Sequence, residues 1–159
     1  MSVFDTTSLS SAGVKKTGSI TDAVQTRANI FAMTQAAEDA VLRPKECGAF
    51  PHDLRAAIAA RIAAQAGDAV LATRYAQVAG ARTHISDPAQ DGGSEDSVLV
   101  TFVDKTANAT REIEAEDIAR LKATGISDAD IVRICELVAF VAYQVRVVAG
   151  LRLMQGGNQ

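Results

Sequence analysis

The sequence has no tryptophan and few other aromatic residues, which together make up 4% of its 159 residues. Aromatic and β-branched residues are the types that strands favour, so this scarcity argues against a β-rich fold. Alanine, the best helix former, occurs 30 times. The sequence therefore predicts an all-α protein.

Cysteine and positive charge are also scarce. Two cysteines, Cys47 and Cys135, give neither a disulfide framework nor a paired zinc-ligand motif. His52 and His84 have no second ligand one helical turn away, so we predict no metal site and no other cofactor. The net charge of -3 argues against binding to nucleic acid.

The first 20 residues hold no apolar run of signal-peptide length, and no run in the sequence reaches the length of a membrane span. Within residues 1–20, Lys15 and Lys16 come late. The longest run, residues 137–151, is interrupted by Gln144 and Arg146 and is shorter than the roughly 20 residues that a span needs. We expect a cytoplasmic protein that does not contact a membrane.

Apolar spacing and cap residues predict about six helices in a compact domain over residues 21–159, after a mobile or extended arm over residues 1–20. The predicted helices cover approximately residues 21–42, 51–66, 69–81, 95–107, 114–123 and 127–154. Asp68 is expected to cap the third of these helices, and Ser127 to cap the last. The last helix is apolar nearly all round, so we expect it to be central in the fold or to form a homo-oligomer interface.

Two side chains outside this pattern are candidates for function. Arg146 lies in the apolar last helix and needs a counter-ion, which could come from another helix, another subunit or a bound anion. Cys47 follows Lys45 and precedes a helix N-terminus, and both features can activate a thiol, although an incidental cysteine is the alternative. Cys135 is expected to be a buried, inert thiol.

The segments DLRAAIAARIAAQAGDAVLATRYAQVAGA and GISDADIVRICELVAFVAYQVRVVAGLRLM resemble the alkylhydroperoxidase-like, or carboxymuconolactone decarboxylase, family. The resemblance covers roughly residues 50–154. It implies a compact all-helical domain that assembles into trimers or hexamers. It also implies one of two activities, thiol peroxidase or cofactor-independent decarboxylase.

Active peroxidases of that family carry Glu-x-x-x-Cys-x-x-Cys-x-x-x-His, in which one thiolate attacks the peroxide and the second cysteine resolves the product. In the matching stretch, the glutamate position is Ala64 and the cysteine positions are Asp68 and Leu71. The histidine position is Tyr75. All four residues of the redox motif are replaced.

We therefore expect a family member that has lost thiol-peroxidase chemistry and acts as a non-catalytic or partner subunit, as a homo-oligomer (dimer, trimer or hexamer) or beside an active paralogue. The alternatives are a cofactor-independent lyase or decarboxylase on a small carboxylic acid, or a divergent peroxidase that uses Cys47. The candidate catalytic residues are Asp68, Tyr75 and Cys47. The candidate binding residues are Arg61 and Arg146.

Overall fold

The computed structural model describes residues 2–156, which form helices and connecting turns without any strand, so the all-α prediction is confirmed. The α-helices are α1 (Thr7–Ser11), α2 (Thr21–Thr26), α3 (Ala28–Leu42), α4 (His52–Gln65), α5 (Ala69–Ala76), α6 (Gly93–Asn108), α7 (Ala115–Ala123) and α8 (Asp128–Met154). Short 3-10 helices cover Val3–Asp5, Gly80–Ser86 and Thr110–Glu112.

Helix α4 is the centre of the fold. Residues 54–63 are buried without exception, and the helix packs against α3, α5, α6, α8 and the 3-10 helix Gly80–Ser86. Half of these buried residues are alanine, whose small side chains let neighbours approach from every side. Helix α4 is therefore surrounded by other elements on all its faces and has no solvent-exposed polar face over residues 54–63.

The buried Arg55 of α4 anchors the loop that precedes the helix. Its guanidinium donates hydrogen bonds to the carbonyls of Val41 (2.8 Å), Cys47 (2.9 Å) and Phe50 (2.8 Å). These bonds tie the end of α3 and the loop to α4, and they pair buried backbone acceptors, of which only the Cys47 carbonyl also accepts a loop amide, that of Phe50 at 3.3 Å. The turn between them needs a glycine, because Gly48 has a φ of +60° and a side chain there would collide with Asp130.

Helix α8 starts where the sequence predicts, with the Ser127 side chain accepting a hydrogen bond from the Asp130 amide at 3.1 Å. It packs against α1, α3, α4, α6 and α7, so it is a central helix of the domain. Its length and composition would also allow it to cross a membrane, a property shared by core helices of this size.

Two predicted helices differ from the structure in their extent. The predicted helix over residues 21–42 is divided at Arg27, a break that neither a glycine nor a proline marks in the sequence. The predicted helix over residues 69–81 ends at Ala76, and the chain continues as a 3-10 helix from Gly80, whose φ is +53°.

The N-terminal segment differs more, because residues 3–11 form helices that pack into the core instead of an arm. Leu9 is completely buried, and Ala12 and Val14 are buried beside it. The hydroxyl groups that suggested a solvated segment are themselves paired, with Thr7 and Ser8 donating to side chains of α3 and α8. The prediction of an arm over residues 1–20 is wrong for residues 3–11, because hydroxyl groups that have buried acceptors can be placed in the core.

Replacing Leu9 by alanine tests this packing. We expect Leu9→Ala to lower the free energy of unfolding by about 2–5 kcal/mol, because it leaves a cavity among core residues. Urea denaturation followed by circular dichroism measures the loss. The half-exposed Val70 gives a matched control, since Val70→Ala should change stability by less than about 0.5 kcal/mol. Equal small losses in both variants would show that residues 3–11 are not part of the folded core.

Candidate functional site

Five polar side chains from four helices meet in the interior, and we call them the buried polar cluster. Its members are Thr7 and Ser8 of α1, Glu38 of α3, Tyr75 of α5 and Gln144 of α8. All are at most 3% exposed. Buried carboxylates are rare unless they are paired, and Glu38 makes no ion pair among residues 2–156.

Hydrogen bonds join the cluster around the Glu38 carboxylate. Thr7 Oγ1 donates to Glu38 Oε1 at 2.9 Å, and Gln144 Nε2 donates to Glu38 Oε2 at 2.8 Å. Two longer contacts complete the cluster. Gln144 Nε2 also lies 3.4 Å from the Tyr75 hydroxyl, and Gln144 Oε1 accepts a hydrogen bond from Ser8 Oγ at 3.3 Å. Gln144 therefore bridges the acid and the phenol.

Burial controls the protonation of both titratable groups. Desolvation raises the pKa of Glu38 above its ordinary value of 4.5, and the hydrogen bonds from Thr7 and Gln144 oppose this only in part. The pKa of Tyr75 is also raised, first by desolvation and second by the negative charge of Glu38. The carboxyl group can thus bind a proton more readily than a surface glutamate, while the phenol keeps its own and can donate a hydrogen bond.

A cavity of about 750 Å³ opens beside Glu38 and Tyr75. Two exposed cations, Arg43 and Arg74, also line it. Arg43 is paired with Asp39, whereas the only hydrogen bond of Arg74 within residues 2–156 is a 3.5 Å contact with Ser10 Oγ. The cavity thus joins a buried acid to a cationic entrance.

Such an arrangement can bind a small anion and exchange a proton with it. Arginine guanidinium groups recognise carboxylates. Because its pKa is raised, the carboxyl group of Glu38 is protonated to a greater extent than a surface glutamate at the same pH, which favours its use as a general acid. A neutral phenol can stabilise an oxyanion that forms during the reaction. Together these groups suit proton transfer at an acidic substrate.

Of the predicted catalytic residues, Tyr75 belongs to this cluster and Asp68 does not. Asp68 caps α5, accepting from the Leu71 amide at 3.0 Å, as the sequence predicts. Its carboxylate also forms an ion pair with Arg152 of α8, at 2.9 and 3.1 Å. Both oxygens are occupied, and Asp68 does not line the cavity that Tyr75 lines.

Arg61, a predicted binding residue, is 2% exposed and fully engaged inside the protein. It makes a bidentate pair with Asp104, with both distances at 2.7 Å. It also donates to four carbonyls of the segment 85–90. These contacts make Arg61 the anchor of that segment, with no free donor directed at the cavity.

Arg146, the other predicted binding residue, is exposed on α8. It donates to the Ala142 carbonyl at 2.9 Å and has no ion pair within residues 2–156. Of the three possible sources of a counter-ion, another helix of the same chain does not supply one within residues 2–156. Arg146 lines a separate groove between α6 and α8, away from Glu38.

The two cysteines also lie outside the buried polar cluster. Cys47 is half-buried in the loop held by Arg55, with its Sγ atom 4.0 Å from the Pro44 carbonyl. Cys135 is half-buried in α8, and desolvation raises the pKa of its thiol. A raised pKa favours the protonated, unreactive form of Cys135.

Sequence reasoning missed Glu38 and Gln144, although each carried a signal. Glu38 falls between the buried Thr34 and Leu42 at steps of four residues, which places a carboxylate on the inward face of α3. Gln144 interrupts the longest apolar run of the chain. A polar residue within an apolar helical face indicates a buried partner, but the sequence does not show where that partner lies.

The Asp68–Arg152 pair changes what is expected of substitutions at Asp68. Asparagine preserves the cap, so the sequence alone predicts that Asp68→Asn is nearly neutral. In the structure it removes the charged partner of Arg152, and we expect a loss of about 1–3 kcal/mol. Asp68→Ala should lose about 1 kcal/mol more, because the cap is lost too.

Urea denaturation of Asp68→Asn, Arg152→Gln and the double variant measures the coupling between these side chains. A double variant that is no less stable than the worse single variant is expected. Additive losses, or a neutral Asp68→Asn, would show that the ion pair does not contribute.

The raised pKa of Glu38 predicts how stability depends on pH. Because the folded protein binds this proton more tightly than the unfolded chain, the contribution of Glu38 is complete below pH 4.5 and is lost as the pH rises through the higher folded pKa. The free energy of unfolding of wild type, relative to Glu38→Gln, should therefore fall as the pH rises above 4.5. Urea denaturation over a pH series measures this difference, with the exposed-site variant Glu112→Gln as control. A constant difference would contradict the raised pKa.

Comparisons with known proteins provide no relative from which to transfer a function. No protein-family model matches the chain, no curated protein has a significant match, and no solved structure does. The resemblance to the alkylhydroperoxidase-like family therefore rests on the sequence pattern alone.

Proposed function

We propose that this protein is an alkylhydroperoxidase-like family member without thiol-peroxidase chemistry, and that it acts as a cofactor-independent lyase or decarboxylase on a small carboxylic acid. The observation that carries the proposal is the buried Glu38 carboxyl beside Tyr75, at a cavity with Arg43 and Arg74. A purely structural subunit has no need of an unpaired acid at a cavity, because burying it costs free energy.

The substrate carboxylate binds at the arginines. Arg74 has guanidinium donors available, and Arg43 adds positive charge even though Asp39 shares it. Asp5 and Asp39 line the same cavity, so the local charge is mixed and favours an acid of low total charge. The volume of about 750 Å³ accommodates a small organic acid with room for water.

Glu38 and Tyr75 perform the chemistry. In a substrate with a carbonyl group β to the carboxylate, the bond between the α-carbon and the departing carboxylate breaks, CO₂ leaves, and the electron pair moves into that carbonyl to form an enolate. The Tyr75 hydroxyl donates a hydrogen bond to the enolate oxygen and keeps its proton, as its raised pKa requires. Protonated Glu38 then delivers its proton to the α-carbon and takes one back from water. Gln144 holds the carboxyl and the phenol together.

Two observations support the loss of peroxidase chemistry. Asp68 and Leu71 stand at the two cysteine positions of the family motif, and neither can form a thiolate or a disulfide. Cys47 and Cys135 lie outside the buried polar cluster and do not line its cavity. The replacement of the motif equally supports the alternative of a non-catalytic subunit that assembles with an active paralogue. The buried acid at the cavity favours the lyase.

Release of CO₂ from a panel of small carboxylic acids that can form an enolate tests the proposal. We expect turnover by wild type, a loss of about 100-fold or more in Glu38→Gln, and a loss in Tyr75→Phe. Because Glu38 acts in its protonated form, the rate should fall as the pH rises through its raised pKa. Glu112→Gln, which changes an exposed acid far from these contacts, should retain full activity.

Peroxide assays separate the alternatives. With an alkyl hydroperoxide and a dithiol reductant we expect no significant turnover and no change in Cys47→Ser. Turnover that disappears in Cys47→Ser would replace the proposal with an unusual thiol peroxidase. Neither turnover nor binding of any acid, in a wild type that is fully folded, would favour the non-catalytic subunit.

A further inference from the structure

One face of α8 is exposed along nearly the whole helix. We call this face the seam, and its exposed members are Val132, Glu136, Ala139, Tyr143, Arg146 and Leu153. Successive members are separated by four, three, four and three residues, and the half-buried Gly150 continues the same repeat before Leu153. A repeat of 3.5 residues is the pattern of a helix that packs lengthwise against a second helix.

The seam carries three large apolar side chains that are exposed to solvent. Val132 is 57% exposed, Tyr143 43% and Leu153 69%, and the half-buried Cys135 and Phe140 flank them. The seam extends over about 32 Å at 1.5 Å per residue. Along the seam these apolar residues alternate with the charged Glu136 and Arg146, a mixture suited to packing against a second helix.

The residues of the seam are complementary to themselves when the strip is reversed. Ala139 and Tyr143 lie two residues on either side of Val141, so reversal places a small residue opposite a large one. Glu136 and Arg146 lie five residues on either side, so reversal places opposite charges together.

The same symmetry extends outward to Val132 and Gly150, nine residues from Val141, which again pairs a large residue with a small one. On the flank, Phe140 and Ala142 are related in the same way. A parallel arrangement would instead place Glu136 against Glu136 and Arg146 against Arg146, which is unfavourable.

Space beside the seam fits this register. A groove of about 600 Å³ runs between α6 and α8, and Ala139, Ala142 and Arg146 are among its lining residues. The groove thus opens beside Ala139, the position that reversal places opposite a tyrosine. A bulky side chain from a second helix can be accommodated there without moving the core.

We propose that a second copy of this chain packs on the seam, with the two α8 helices antiparallel about a two-fold axis at the level of Val141. Glu136 then pairs with the partner's Arg146, and Arg146 pairs with the partner's Glu136. This supplies the counter-ion that Arg146 does not have among residues 2–156. Because the interface is two-fold symmetric, each contact occurs twice, and a substitution at one position changes two contacts in the dimer.

Exchanging the two charges tests the register. Wild type should sediment as a dimer, or as a hexamer that contains this two-fold pair, at micromolar concentration. Glu136→Arg and Arg146→Glu should each raise the dissociation constant of the dimer about tenfold or more, because each converts two attractive pairs into two repulsive ones. The double variant Glu136→Arg with Arg146→Glu restores two opposite-charge pairs, and its dissociation constant should return close to that of wild type.

Arg111→Glu, at an exposed position off the seam, is the matched control and should dimerise like wild type. Circular dichroism establishes that all variants fold, which is expected for substitutions at exposed positions. A wild type that remains monomeric at hundreds of micromolar would overturn the proposal. An oligomer whose dissociation constant does not recover in the double variant would also overturn it. In a parallel pair, like charges face each other in wild type, in both single variants and in the double variant, so the double variant would show no recovery.

Discussion

The two arginines of α4 impose the constraint on which the rest of the structure depends. A helix surrounded on every face requires neighbours all around it, and two of those neighbours are the segments 41–50 and 85–90, whose carbonyls the backbone pairs only in part. Arg55 and Arg61 donate to seven of their carbonyls in total, three from the segment 41–50 and four from the segment 85–90. Because a buried carbonyl without a donor costs about 1–3 kcal/mol, these guanidinium groups make the close packing around α4 possible.

Packing around α4 is also what brings the candidate site together. With α3, α5 and α8 arranged around the core, Glu38, Tyr75 and Gln144 reach one another from positions more than 30 residues apart in sequence. The folded N-terminal segment completes the cluster, because Thr7 supplies a hydrogen bond to the Glu38 carboxylate. The same burial that removes water from Glu38 raises its pKa. The close packing of the core and the raised pKa of the acid therefore have a common origin.

Neighbouring residues of helix α8 belong to the buried polar cluster and to the exposed seam. Gln144 points inward and holds Glu38, whereas Tyr143, one position earlier, lies on the exposed seam and contacts Thr34 through its hydroxyl. Residues adjacent in a helix are turned by about 100°, so one element can present unrelated chemistry on two faces. This also explains why α8 is apolar nearly all round.

The sequence by itself determined the elements and several of their ends. Alanine content predicts helix, and Asp68 and Ser127 cap the helices where their short polar side chains indicate, because capping depends on a few neighbouring residues. Tyr75 could be selected from the family pattern, but its partner Glu38 could not. Only tertiary structure decided that Thr7 and Leu9 belong to the core, that Arg61 is an internal anchor, and that Arg146 faces outward. Those outcomes depend on which helices pack together, and a long-range contact leaves no local pattern in the chain.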